Sequence, residues 1–192
     1  MATEVSICSN ALRRLGDDPI TSLTEDSERA RLCNAFYAPA RDSVLRSHPW
    51  NFAITRASLT QLSTTPAYEF DYQYALPTDP YCLRVLQMEF QDYIFKVENL
   101  ATEGRVLLTN EDTAKILYIA RITDAALFDS LFVDCLEAKL AVQLAYPVTN
   151  SVTLQAQMQK LYEIKLSEAL SIDGQEGFID DLVSDTFTDF RK

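Results

Sequence analysis

The hydrophobic period changes twice along this chain, and that restricts its fold more than any other feature. Apolar residues recur at steps of three and four up to about residue 48. They alternate through the middle, and return to helical spacing from about residue 124. A helical stripe repeats every 3.6 residues and a strand face every two, so one period cannot serve the other element. The order is therefore α-α-β-α-α. It predicts an α+β chain in which an antiparallel bundle of four helices carries an inserted small antiparallel β-domain and ends in an extended C-terminal arm. The expected boundaries are 1–53 for the first helical pair, 54–121 for the β-rich insert, 122–172 for the second pair and 173–192 for the arm.

The first helix is expected over residues 3–15, with Val5, Cys8, Leu12 and Leu15 on one face. Gly16-Asp17-Asp18-Pro19 ends it, since glycine suits the position after the last turn and proline cannot continue the helix. Ser22 or Thr24 would cap the second helix, whose stripe is Cys33, Tyr37, Ala40 and Val44. Pro39 lies within that stripe and should kink it, and His48-Pro49 should end it. Asp124 or Thr123 would cap the third. Its inward rows are Leu127, Leu131, Cys135, Ala138, Val142 and Ala145, and beside them Phe128, Phe132, Leu136, Leu140 and Leu144. Pro147 is expected to break it. The fourth, over 151–171, turns Leu154, Met158, Leu161, Tyr162, Leu166 and Ala169 inward, and Asp173-Gly174 with Gly177 should stop it.

Tyr93, Phe95 and Val97 alternate with Ile94, Lys96 and Glu98, the pattern of a half-buried strand. Strands are also expected over 105–109 and 115–121, and more weakly over 54–62, 69–75 and 82–88. Ala101-Thr102-Glu103-Gly104 reads as a hairpin connection in which Gly104 takes positive φ.

The net charge of −11 argues against a basic face that grips DNA or an anionic membrane. The charge is uneven. Residues 1–60 balance seven bases with seven acids, and between Arg29 and Arg56 five arginines face only Asp42. The acids concentrate in the rest of the chain, which suggests that different parts meet different partners, or each other. Cys8, Cys33, Cys82 and Cys135 form no CxxC pair, and His48 is the lone histidine, so a zinc site is not expected and the cysteines read as small buried hydrophobes. Four glycines form no phosphate-binding loop, and no nucleophile elbow is present. Catalytic residues, metal ligands and cofactors are accordingly not expected. Nor is a membrane span or signal peptide, and synthesis and assembly are expected in a reducing cytoplasm. Residues 177–192 alternate aspartates with Phe178, Ile179, Leu182, Val183, Phe187 and Phe190, a composition suited to a docking arm.

Residues 42–53 read DSVLRSHPWNFA and follow ITSLTEDSERARLCNAFYAPAR at 20–41. Together they resemble the N-terminal signature of the tail tubular protein A family, the head–tail adaptors of short-tailed and some other tailed phages. GDDPITSL before the second helix, YALPTD at 74–79 and the two C-terminal helices match in kind. The string at His48, Pro49, Trp50, Asn51 and Phe52 is its most specific part, with Trp50 and Phe52 expected as core anchors. The resemblance implies a structural protein of the virion neck, assembled in the host cytoplasm as a twelve-membered homo-oligomeric ring. The ring would sit beneath the portal protein, extend the channel through which double-stranded DNA passes unbound, and receive the downstream tail tube or nozzle protein. On that reading Arg29, Arg31, Arg41 and Arg46 would face acids of the neighbouring subunit, and the arm would dock on the portal. The competing expectations are an acidic phage-encoded inhibitor that mimics DNA charge, and a small hydrolase with a carboxylate-bound metal.

Overall fold

In the computed structural model, which describes residues 1–176, the chain is α+β, with four helices and two small antiparallel sheets. The helices are α1 (Glu4–Arg14), α2 (Glu28–Ser47), α3 (Ser130–Thr149) and α4 (Val152–Glu176). The strands are β1 (Ile54–Ser58), β2 (Thr60–Gln61), β3 (Tyr72–Ala75), β4 (Cys82–Met88), β5 (Phe95–Leu100), β6 (Gly104–Thr109) and β7 (Lys115–Ala120). One sheet has the order β1-β7-β4 and the other β2-β3-β6-β5.

Several helix ends differ from the sequence expectation, the two N-termini because nearby polar groups take other partners. Ser27, not Ser22 or Thr24, caps α2, its hydroxyl accepting from Ala30 N at 3.1 Å. Upstream, the Glu25 carboxylate accepts from the Thr21 hydroxyl at 2.7 Å, the Ser27 hydroxyl at 2.7 Å and Thr21 N at 2.8 Å, closing a separate turn. Those bonds hold the Glu25 carboxyl down to about 2. Asp124 caps only a 3-10 turn at Ala125–Leu127, which leaves Leu127 exposed rather than in the stripe; Asp129 caps α3. Pro147 does not break α3. So near the C-terminus it forfeits only the bond to the Gln143 carbonyl, and the helix closes at Asn150, in the left-handed region at φ 53°. α4 runs through Gly174 to Glu176, so the expected start of the arm at 173 falls inside a helix.

Residues 54–62 split into two strands that belong to different sheets: β1 pairs with β7, while β2 pairs with β3. The hairpin between β5 and β6 forms as expected, with Leu100 opposite Gly104 and Gly104 at φ 71°. The three-stranded sheet is apolar on both faces. Leu83 and Ile119 join the helical core, with Ile7, Leu12, Leu45, Trp50 and Phe132 among its members. Cys82, Met88, Ile116, Tyr118 and Ala120 face the other way and pack with Tyr74 and Leu107 of the second sheet. The outer side of that second sheet is covered at Val106 and Leu108 by Phe70 and Leu62 from the segment before β3. All four cysteines are buried free thiols, as their apolar surroundings in sequence implied.

α3 packs against α1, α2 and α4, and polar side chains fix two of these contacts. The Arg14 guanidinium of α1 pairs with Asp134 and, at 2.8 Å, with Glu137 of α3. Asn10 Nδ2 donates to Glu137 Oε1 at 2.7 Å, and Lys165 of α4 lies 2.9 Å from Asp134. Burial alone would push the Asp134 carboxyl up, but the bonds from Lys165 and Arg14 outweigh it and hold it below the usual carboxylate value. A carboxylate with a depressed folded pKa adds stability that is fully present above its unfolded pKa and lost as pH falls through the folded one. Asp134→Asn should therefore cost about 1–2 kcal/mol at neutral pH, after allowance for partial solvent exposure. It should also flatten the loss of stability below about pH 4. Urea melts of both proteins at neutral and acid pH check this; parallel pH profiles would refute it.

Candidate functional site

The string at residues 48–52 builds the joint between helix and sheet. α2 ends at His48, whose backbone is extended (φ −140°, ψ 148°) because the following proline excludes the helical conformation. Trp50 is 1% exposed, and its indole Nε1 donates to the Val44 carbonyl at 2.9 Å, satisfying one carbonyl of the last turn. Its ring meets His48 and Phe132 edge to face, at centroid distances of 5.0 and 5.2 Å, and Phe52 packs on Phe132 at 5.1 Å. His48 Nε2 lies 2.9 Å from Asp173 Oδ2. Asn51 N donates to Asp173 Oδ1 at 3.1 Å, and Asn51 Nδ2 to the Asp173 carbonyl at 2.7 Å. Three contacts thus tie the last turns of α4 to the end of α2, which accounts for the helix continuing past Asp173. His48 is a structural clasp in this arrangement.

The four arginines singled out in the sequence divide between the two ends of α2. Arg29 forks onto Asp17, at 2.8 and 2.6 Å, and lies 3.5 Å from Asp18; its hydrogen bond holds the Asp17 carboxyl below the usual value. Arg31 pairs with exposed Asp26 at 2.8 Å. About 15 Å further along the helix the setting changes. Arg41 is 7% exposed, and its Nε and Nη2 donate to Asp42 Oδ1 at 2.9 and 2.8 Å. The Arg46 guanidinium donates to the Leu83 carbonyl of β4, where a shift of register between Cys82 and Arg84 takes Leu83 out of the ladder.

Three further arginines, from β4, β6 and just after β7, complete a cluster that sequence spacing does not reveal. Arg121 Nε lies 2.8 Å from Asp42 Oδ2, a charge contact without hydrogen-bond alignment. The Tyr81 ring meets two guanidinium groups, with its centroid 4.3 Å from that of Arg121 and 5.7 Å from that of Arg105. Arg105 donates to the Cys82 carbonyl and Arg84 to the Arg46 carbonyl, the latter at 3.3 Å. Carbonyl acceptors leave the cationic charge in place. Among the described residues, Arg46, Arg84 and Arg105 have no carboxylate partner, and they line a cleft of about 640 Å³ with Val85, Phe95, Lys96, Val97, Glu98 and Asn99. Burial pushes the Cys82 thiol up, while Arg105 and Arg46 pull it down, so their field reaches the core behind the cleft.

The cleft has the charge of an anion-recognition surface on a chain that is acidic overall. It suits a carboxylate-bearing partner, because planar guanidinium groups match carboxylate geometry. The described residues contain no group of three or more histidine, cysteine or acidic side chains placed to hold a metal ion, and no helix long and apolar enough to cross a membrane. Phe178, Ile179, Leu182, Val183, Phe187 and Phe190, expected to form the docking arm, lie outside the described residues.

Two substitutions separate the parts of the joint. Trp50→Ala should cost about 3–5 kcal/mol in denaturant unfolding, as for other fully buried aromatic truncations. Asp173→Ala should cost about 1–2 kcal/mol, and its effect should show first as faster amide exchange in the last turns of α4. Equal losses of protection throughout the chain would count against a local clasp. Compared with known protein families and with curated proteins, the chain matches no family model and no curated protein.

Proposed function

We propose that this chain is a structural head–tail adaptor of a tailed bacteriophage. In this reading it forms a ring, expected to be dodecameric, beneath the portal. The ring extends the DNA channel and attaches the next tail component. The observation that carries the proposal is the position of the signature string. Its residues sit where the fold has strict requirements: a buried indole capping a helix end, a proline ending the helix, and an amide clasping α4. Because these residues are held by packing and by hydrogen bonds to backbone, the resemblance there supports a shared way of building the joint, and through that shared fold the adaptor reading. The order of elements supports the finer architecture of a four-helix bundle with an inserted β-domain, while the expected C-terminal arm lies outside the described residues.

A ring repeats one heterologous contact, so each subunit must offer two complementary surfaces. Arg29 and Arg31 are the members of the original four that remain on the surface beside acids, at the α2 N-terminus. Exposed Tyr68, Phe90 and Ile94 on the β-region and Val152 and Ile164 on α4 supply apolar contacts to either side. The acidity of the remainder suits a conduit, since a net-negative wall avoids the phosphate contacts that would hold DNA in transit.

Negative-stain microscopy of the chain mixed with its cognate portal tests the proposal directly. Rings stacked on the portal are the expected result, and portals that remain bare would overturn it. Arg29→Glu with Arg31→Glu should reduce ring occupancy at least about tenfold without altering the fold, given the cost of facing like charges across an interface. Unchanged occupancy, read by native mass spectrometry, would remove these residues from the interface.

A further inference from the structure

The arginine cleft lies between two open sheet edges. β5 is the last strand of the four-stranded sheet and β4 the last of the three-stranded one, and the cleft is bounded by Arg84 and Val85 from β4 and by residues 95–99 from β5. An open edge offers unpaired backbone donors and acceptors to an extended segment. Here the edge is flanked by cationic side chains and by the half-buried rings and methyls of Phe95 and Val97. The occupant that such a cleft fits is an extended peptide carrying both carboxylates and aromatic groups.

We propose that this occupant is the segment 177–192 of the same subunit. Two observations point to it. The first is composition: the segment holds Asp180, Asp181, Asp185 and Asp189 interleaved with Phe178, Phe187 and Phe190, and its bases, Arg191 and Lys192, are confined to its last two positions. The acids complement Arg46, Arg84 and Arg105, and the rings complement the apolar floor. The second is placement. Asp173 is held on His48 at 2.9 Å, two residues from Arg46, and the Arg46 carbonyl accepts from Arg84. Glu176 lies only about 4.5 Å further along the helix axis from Asp173. Sixteen residues can span up to about 50 Å when extended, so the segment starts beside the cleft with ample length to cross it.

Intramolecular docking of this kind carries a high effective concentration, so individually weak contacts suffice. Glu98 opposes it locally, but Lys96 already neutralises Glu98 at 3.0 Å. The inference rests on charge and placement and does not depend on the adaptor reading.

Photo-cross-linking in the full chain tests it. With p-benzoylphenylalanine in place of Phe187, irradiation should give cross-links within one subunit to Val85 or residues 95–99. Arg84→Glu with Lys96→Glu should lower their yield at least about tenfold, as should raising NaCl from about 0.05 to 1 M. Cross-links to another part of the subunit, cross-links found only between subunits, or a yield indifferent to charge would each overturn the proposal. Should circular dichroism find the cleft variant unfolded, the variant with Asp180, Asp181, Asp185 and Asp189 all changed to Asn probes the same contact with the cleft intact. An undiminished yield there would overturn it equally. Failure of these tests leaves ring formation on the portal unaffected, so the two readings stand or fall separately.

Discussion

The three-stranded sheet is held between two cores, and most of the remaining architecture follows from that constraint. Along β7, Ile119 faces the helices while Ile116, Tyr118 and Ala120 face the second sheet. An antiparallel sheet of this size commonly has one wet face. Burying both faces requires a helical layer on one side and a second sheet on the other. The helices must then reach the sheet, which is the task of the turn at Trp50, and the second sheet must cover its own outer face, for which residues 62–70 fold over Val106 and Leu108. Stability of the helical and β parts is therefore coupled through a shared strand layer.

The same junction concentrates positive charge. Arginines from α2, β4, β6 and the end of β7 converge there, in a chain of net charge −11. Arg41 and Arg121 share the single acid Asp42, while Arg46, Arg84 and Arg105 bond to carbonyls that leave their charge uncompensated among the described residues. The carbonyls of Cys82 and Leu83, at the irregular start of β4, hold Arg105 and Arg46, the Arg46 carbonyl in the last turn of α2 holds Arg84, and the groups, once anchored, have further N–H donors to offer to the cleft. A fold requirement and a recognition surface thus come from the same side chains.

Helix and strand identities were legible because periodicity is a local property. Phe95–Leu100 and the hairpin at Gly104 follow from alternation and turn chemistry alone, and the rows of α3 from their 3.6-residue repeat. Caps were less legible, since a polar residue near a helix start has several partners within reach. Glu25 takes up the Thr21 and Ser27 hydroxyls, and Asp124 is used by a 3-10 turn. Pro147 and Gly174 read as helix stops, yet close to a helix end they cost too little to outweigh packing on a neighbouring helix or the clasp at Asp173.

The sequence by itself determined the order of the elements, the burial of the four cysteines and the acidic balance, all of which depend on neighbours a few residues apart. It also marked residues 48–52 as an unusual string. Tertiary structure alone decided that the β-rich residues divide between two sheets, and that Arg41 is buried while Arg29 stays on the surface. It alone brought Arg84, Arg105 and Arg121 to the end of α2. Strand register and interlayer packing set these outcomes, joining residues dozens of positions apart, and no local period encodes which side chains will meet there.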